Sequence, residues 1–188
     1  VMLAFVNAYG SQTAAAYAAT MQVWTYVQMP AMALGAAVSS MAAQNVGAGR
    51  MDRVEAVART GVLFAIVMTA LPIGLIYLAE PLILRIFLPE DSGTIPIARH
   101  INAIALWGFI PFGVAFIFAG VVRATGAVIA PLLAMVISLW VVRIPFAQLL
   151  TPALGADAIW WSFPLGSITT VILAGGYYVW GGWRKATL

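Results

Sequence analysis

The stretch GVLFAIVMTALPIGLIYLAE, residues 61–80, carries no charge until its last position, and runs like it recur along the whole chain. Crossing the roughly 30 Å hydrocarbon core of a bilayer takes about 20 helical residues. Inside that core every backbone N–H and C=O must be bonded within the segment itself or within a closed barrel. Runs of this length and apolarity confine the chain to membrane-spanning helices. Five complete spans are read, at 14–46, 54–78, 97–122, 127–150 and 158–180. Ahead of them VMLAFVNAY, residues 1–9, would reach only about 14 Å as a helix. With Val1 in first place this segment reads as the end of a sixth helix. It has no basic region before its apolar run and so is not read as a signal peptide. The expected fold is an all-α polytopic membrane bundle. It is one transmembrane domain over residues 1–188, with about five complete transmembrane helices plus a partial first one.

Composition narrows the function. With 63% hydrophobic and 8% charged residues and a mean hydropathy of +1.00, the chain is far from the roughly 25% charged residues of a soluble domain. A net charge of +3 is small and forms no basic stripe, so nucleic acid is not an expected partner. The absence of cysteine removes disulfides and thiolate chemistry. His100, the one histidine, lies between Arg99 and Asn102 and reads as an interfacial polar group. A histidine metal site has no second ligand to use. No enzyme site is legible, since every Asp and Glu falls in a break or at a span end and no Ser, His and Asp set can be assembled. No cofactor is expected.

The breaks carry orientation. One side holds Arg50, Arg53, Arg59, Arg123, Arg184 and Lys185 against Asp52 and Glu55; the other holds Arg85 and Arg99 against Glu80, Glu90, Asp91 and Asp157. Positive loops stay cytoplasmic, which places the C-terminus and the turn NVGAGRMDR inside. That turn lacks the lysine of a phosphate loop and the third glycine of a dinucleotide fingerprint. It reads as a chain reversal with glycine supplying the backbone freedom. The segment EPLILRIFLPEDSGTIPIARH is too charged and proline-broken to cross, and its 81–88 part reads as a short helix in the outer interface.

Each span holds an internal proline: Pro30, Pro72, Pro111, Pro145 and Pro164. Membrane helices tolerate proline, but kinks in every span also suit a bundle that bends around a cavity. Gln22, Tyr26, Gln28 and Met29 sit just before Pro30 and are candidates to face a cavity, being costly in lipid. Trp107, Phe112 and Phe116 of LWGFIPFGVAFIF could offer ring faces to an amphipathic cation, or could simply pack. Trp160, Trp161, Trp180 and Trp183 bracket the last span as an interfacial belt. Arg143 is the one charge well inside a span. Snorkelling to the outer headgroups, packing through carbonyls or Gln148, and contact with a substrate or ion all remain open for it.

Three segments in this order, AAQNVGAGRMDRVEAVARTG, GVVRATGAVIAP and LWVVRIPFAQLL, resemble the C-terminal half of the multidrug and toxic compound extrusion transporters. The family's long helix ending in Gln and a Gly-x-Gly turn is matched by Gln44, Gly47 and Gly49. Its Arg, Gly and Pro at the next cytoplasmic turn are matched by Arg123, Gly126 and Pro131. Its later helix with Trp, Arg and Pro is matched by Trp140, Arg143 and Pro145. The resemblance implies one six-helix lobe of a twelve-helix protein, with the N-terminal lobe absent. It also implies export of organic cations or amphipathic drugs by alternating access, driven by a proton or sodium gradient, in the cell inner membrane. Ala127 stands where the family often has a polar or acidic residue, and no acid lies within a span, so the ion-coupling site is expected outside this stretch. The partners implied are the bilayer, the substrate, and the other lobe or a second copy. The alternatives are a lipid-linked oligosaccharide flippase of the same superfamily, or a non-transporting fragment with a packing role.

Overall fold

The computed structural model describes residues 2–88 and 93–185. Glu90 and Asp91, counted above in an outer break, lie outside the described residues. Eight α-helices follow one another: α1 (Met2–Asn7), α2 (Ser11–Gly47), α3 (Met51–Phe87), α4 (Thr94–Ala105), α5 (Phe109–Ala124), α6 (Ile129–Val136), α7 (Ile144–Leu154) and α8 (Asp157–Trp180). No strand occurs among the described residues. Among the described residues four stretches are long and apolar enough to cross a membrane: Met51–Glu80, Thr94–Ala124, Ile129–Leu154 and Asp157–Trp180. The fifth expected span, α2, is long enough at 37 residues but is not among them, because polar side chains such as Gln22, Thr25 and Gln28 dilute it. Its position at the centre of the bundle, packed on both α3 and α5, makes that polarity tolerable.

Glycine makes the reversals. At the end of α2 the Arg50 N–H donates to the Asn45 carbonyl (2.8 Å) and the Gly49 N–H to that of Val46 (2.9 Å), with Gly49 at φ +70°. This is a Schellman closure, which needs a left-handed residue. Gly126, at φ +81°, serves the turn between α5 and α6.

The prolines act on the turn before them, where a carbonyl loses its N–H partner. Ahead of Pro111 the chain tightens into a 3₁₀ turn at Leu106–Gly108; ahead of Pro145 it widens into a π-helix at Ile137–Arg143. In α3 the non-helical residue is Ala79 (φ −110°, ψ 17°), two residues before Pro81, so the break falls there and not at Pro72. Beyond this kink the 81–87 stretch forms a short helical segment of its own, as expected, with Leu88 as its C-cap.

Two apolar clusters close the bundle, one toward each end. One gathers Val6, Tyr17, Trp24, Leu84, Ile101 and Trp160; the other gathers Val38, Ala42, Val54, Ile117, Val121 and Trp183. Trp160 and Trp183 are each only 1% exposed and so are core residues, correcting their place in an interfacial belt. Trp160 packs on Tyr17, with centroids 5.5 Å apart. The 3₁₀ turn Gly182–Lys185 folds Trp183 back onto Tyr178, whose carbonyl accepts its indole N–H at 2.7 Å. Trp161 and Trp180 are exposed.

At the kink in α3, where the Met51–Glu80 span ends, Glu80 is only 7% exposed. Its carboxylate accepts from Asn102 Nδ2 (3.1 Å) and Arg99 Nε (3.3 Å), while Asn102 Oδ1 accepts from Trp24 Nε1 (2.9 Å). One polar chain thus ties α3, α4 and α2 together. His100 meets Asp157 at 2.8 Å, joining the start of α8 to α4.

Candidate substrate cavity

The continuous helix formed by α6, the π segment and α7 packs mainly on α8 and meets α5 only at its start. This leaves a wedge between it and α2 and α5, and two adjoining cavities occupy it. The first, about 350 Å³, is lined by Tyr17, Met21, Trp24 and Gln28 of α2, by Phe109 and Phe112 of α5, by Met135, Ser138 and Arg143, and by Phe163, Gly166, Ser167 and Thr170 of α8. The second, about 330 Å³, continues toward the opposite end past Phe116, Arg123, Pro131 and Leu132. Phe112, Met135 and Thr170 border both. Volumes of this size suit small organic ligands.

The lining is aromatic and chained. Trp24 lies 4.9 Å from Phe163 and 5.5 Å from Phe109; Phe112 lies 6.1 Å from Phe109 and 4.8 Å from Phe116. Hydroxyls interrupt it near α8, where Ser138 Oγ donates to the Gly166 carbonyl and Thr170 Oγ1 reaches Ser138 Oγ at 2.7 Å. No carboxylate lines either cavity among the described residues.

Arg143 owes its place to the π segment. In an α-helix, residues five apart point about 140° away from one another, whereas i to i+5 bonding stacks them. Ser138 and Arg143 are five apart and span this segment. Both close on one point of α8: a Cβ at Gly166 would lie 3.5 Å from Arg143 Cδ and 3.6 Å from Ser138 Oγ. The guanidinium then lies over the Phe163 ring, 3.5 Å from its centroid. Its Nε is buried without an acceptor. Gln148, one of its possible packing partners, is exposed.

Of the candidate substrate contacts named from sequence, Gln28 and Phe112 line the first cavity, and Phe112 and Phe116 the second. Gln22, Tyr26 and Met29 lie on an exposed face of α2 turned away from the cavity, and Trp107 sits half-buried in the 3₁₀ turn outside both linings. Arg123 and Pro131 border the second cavity, Trp140 is exposed, and Pro145 follows the π segment. The Gln44 carbonyl receives the Ala48 N–H at the end of α2. Tyr17, Met21 and Trp24 were not singled out from sequence, though with Gln28 they share a face at spacings of four, three and four. Ser167 and Thr170, in the turns after Pro164, were missed as well.

A family model described as MatE matches residues 1–149. The chain is 38% identical over 186 residues to "Probable multidrug resistance protein YoeA" of Bacillus subtilis (strain 168), covering 98% of this chain and 40% of that protein. It is 33% identical over 188 residues to "Probable multidrug resistance protein YpnP" of the same organism, covering all of this chain and 42% of that protein. The chain therefore spans about two-fifths of the length of the curated relatives it matches. No solved structure matches it significantly.

Proposed function

The chain belongs to the MatE family, and from that premise we propose that it forms one lobe of a secondary active exporter of amphipathic organic compounds, organic cations among them. The observation that carries this reading is the cavity pair between the 129–154 helix and α2, α5 and α8. A helix held mainly by α8 can move as a unit against the rest of the lobe, and an apolar, ring-lined wedge accepts varied hydrophobic shapes. The relatives' names, which speak of multidrug resistance, support the same substrate range. The exposed α2 face bearing Gln22, Tyr26 and Met29 would meet the other lobe or a second copy across a central pathway. The flippase alternative asks for several bases around a pyrophosphate, and Arg143 is the one base in its cavity.

Export against a gradient needs a group whose charge or ion occupancy differs between access states. Glu80 is the one buried acid among the described residues, and Asn102 and Arg99 already engage it. This supports the reading that the proton- or sodium-coupling group lies elsewhere in the assembled transporter. The excess of bases at the Gly49 and Gly126 end supports a cytoplasmic position for that end and for the C-terminus.

The test is ethidium accumulation in efflux-deficient bacteria expressing the full-length gene product. Expressing cells should accumulate several-fold less dye, and a protonophore or sodium ionophore should abolish the difference. Equal accumulation of ethidium and of other amphipathic dyes, with the protein present in the membrane, would refute export. In the same cells a cysteine at Ala48 should react with an impermeant thiol reagent only after permeabilisation; reaction in intact cells would reverse the orientation.

A further inference from the structure

The guanidinium of Arg143 is an unfilled half of an ion pair. It borders the first cavity and stacks one face on Phe163, and stacking leaves the N–H donors at its edge unsatisfied. Among the described residues none of those donors finds a hydrogen-bond or ion-pair partner, and Nε is buried without one. A buried donor left unmade is costly, and a charged one more so. The π segment, Ser138 and the absent side chain of Gly166 hold this group against the cavity wall rather than letting it extend toward solvent.

The geometry points to an anion-recognition site: Arg143 binds the carboxylate, or a similarly planar acidic group, of an amphiphile whose apolar body lies against Trp24, Phe112 and Phe163. A carboxylate would accept two parallel N–H bonds from the guanidinium edge. Ser167 and Thr170 border the same cavity, but their hydroxyls already donate to the Phe163 carbonyl and to Ser138 Oγ and the Gly166 carbonyl, so recognition rests on Arg143. With no carboxylate in either lining, Arg143 orients a zwitterion acid-first at this end. The export reading supplies the use of such a site, but binding itself does not depend on transport.

The experiment measures binding of dansylglycine and of its methyl ester to the purified full-length gene product in detergent, by the rise and blue shift of dansyl fluorescence. The free acid should bind about tenfold or more tightly than the ester, the worth of one charge-assisted contact. In Arg143→Gln that preference should disappear while ester affinity stays unchanged, which also reports that the cavity is intact. Arg143→Lys should keep part of the preference. Equal binding of acid and ester to the unaltered protein would overturn the proposal whatever the variants do, and so would a preference that survives in Arg143→Gln. Acid-selective binding in a protein that exports no dye would sustain this site while refuting the export reading.

Discussion

Gly120→Leu is expected to prevent the lobe from assembling, and Gly120→Ala to destabilise it by about 1–3 kcal/mol, the usual cost of overpacking a filled contact. A Cβ at position 120 would lie 2.8 Å from the Gly35 carbonyl oxygen on α2. That neighbour is helix backbone and cannot rotate away. Gly35 completes the crossing, since its own Cβ would stand 3.4 Å from Phe116. Small residues that let helices approach are how membrane bundles gain contact where lipid supplies no hydrophobic drive between helices. Here they seat α5 on the central helix, and α5 is one wall of both cavities. The measurement is the thermal midpoint and monodispersity of the detergent-solubilised protein. Gly74→Ala is the control, because nothing lies within 4 Å of a Cβ there. If Gly120→Leu matched that control, α2 and α5 would not cross as closely as described.

The second large effect is expected at Asn102, which is fully buried and sits between Trp24 and Glu80. Asn102→Leu keeps the volume but strands the indole N–H of Trp24 and one carboxylate oxygen of Glu80. Breaking one partner of a buried charged network costs about 3–5 kcal/mol. Arg99 still reaches Glu80, and its side chain is 57% exposed, so the lower end of that range is expected. The decisive comparison is the triple variant Trp24→Phe, Glu80→Leu, Asn102→Leu. Replacing every member by apolar groups removes the stranded atoms and can be nearly neutral, so the triple variant should be more stable than Asn102→Leu alone. Three losses that simply add would show that the chain of hydrogen bonds is not a coupled unit.

The helices were legible in the sequence because a bilayer imposes one length and one kind of backbone satisfaction, and because Gly49 and Gly126 mark reversals that other residues make at a cost. What lay beyond reach were features set by tertiary contact. Glu80 was legible as the end of its span, but its burial depends on Asn102 and Arg99 of α4, which no local pattern reveals. Trp183 and Trp180 have the same local surroundings, yet the fold-back of the last turn buries one and exposes the other. The cavity face of α2 was hidden for a different reason. Helix α2 carries apolar side chains on its exposed face as well as its buried one, so no apolar stripe distinguishes Tyr17, Met21, Trp24 and Gln28 from Gln22, Tyr26 and Met29. Ser138 and Arg143 fall on different faces at 3.6 residues per turn, and only the π segment unites them. Arg143 itself was marked as the unusual charge, because burial of an arginine demands a reason wherever it occurs.

On the proposed function, the compound to be exported sits in the wedge bordered by Met135 and Phe112. Met135 borders both cavities and is reachable, at 54% exposed, while Leu63, 61% exposed, borders neither of them. Because residues 1–188 contain no cysteine, Met135→Cys and Leu63→Cys each place a single thiol in this lobe, with any others in the full-length gene product replaced. The measurement is the rate of maleimide labelling in membranes with and without a saturating concentration of the dye whose export the protein drives. A bound ligand covers most of its pocket's lining, so labelling at position 135 should slow by about fivefold or more while position 63 is unaffected. Equal rates with and without dye at position 135, in a variant that still exports it, would place the compound outside this wedge and contradict the account.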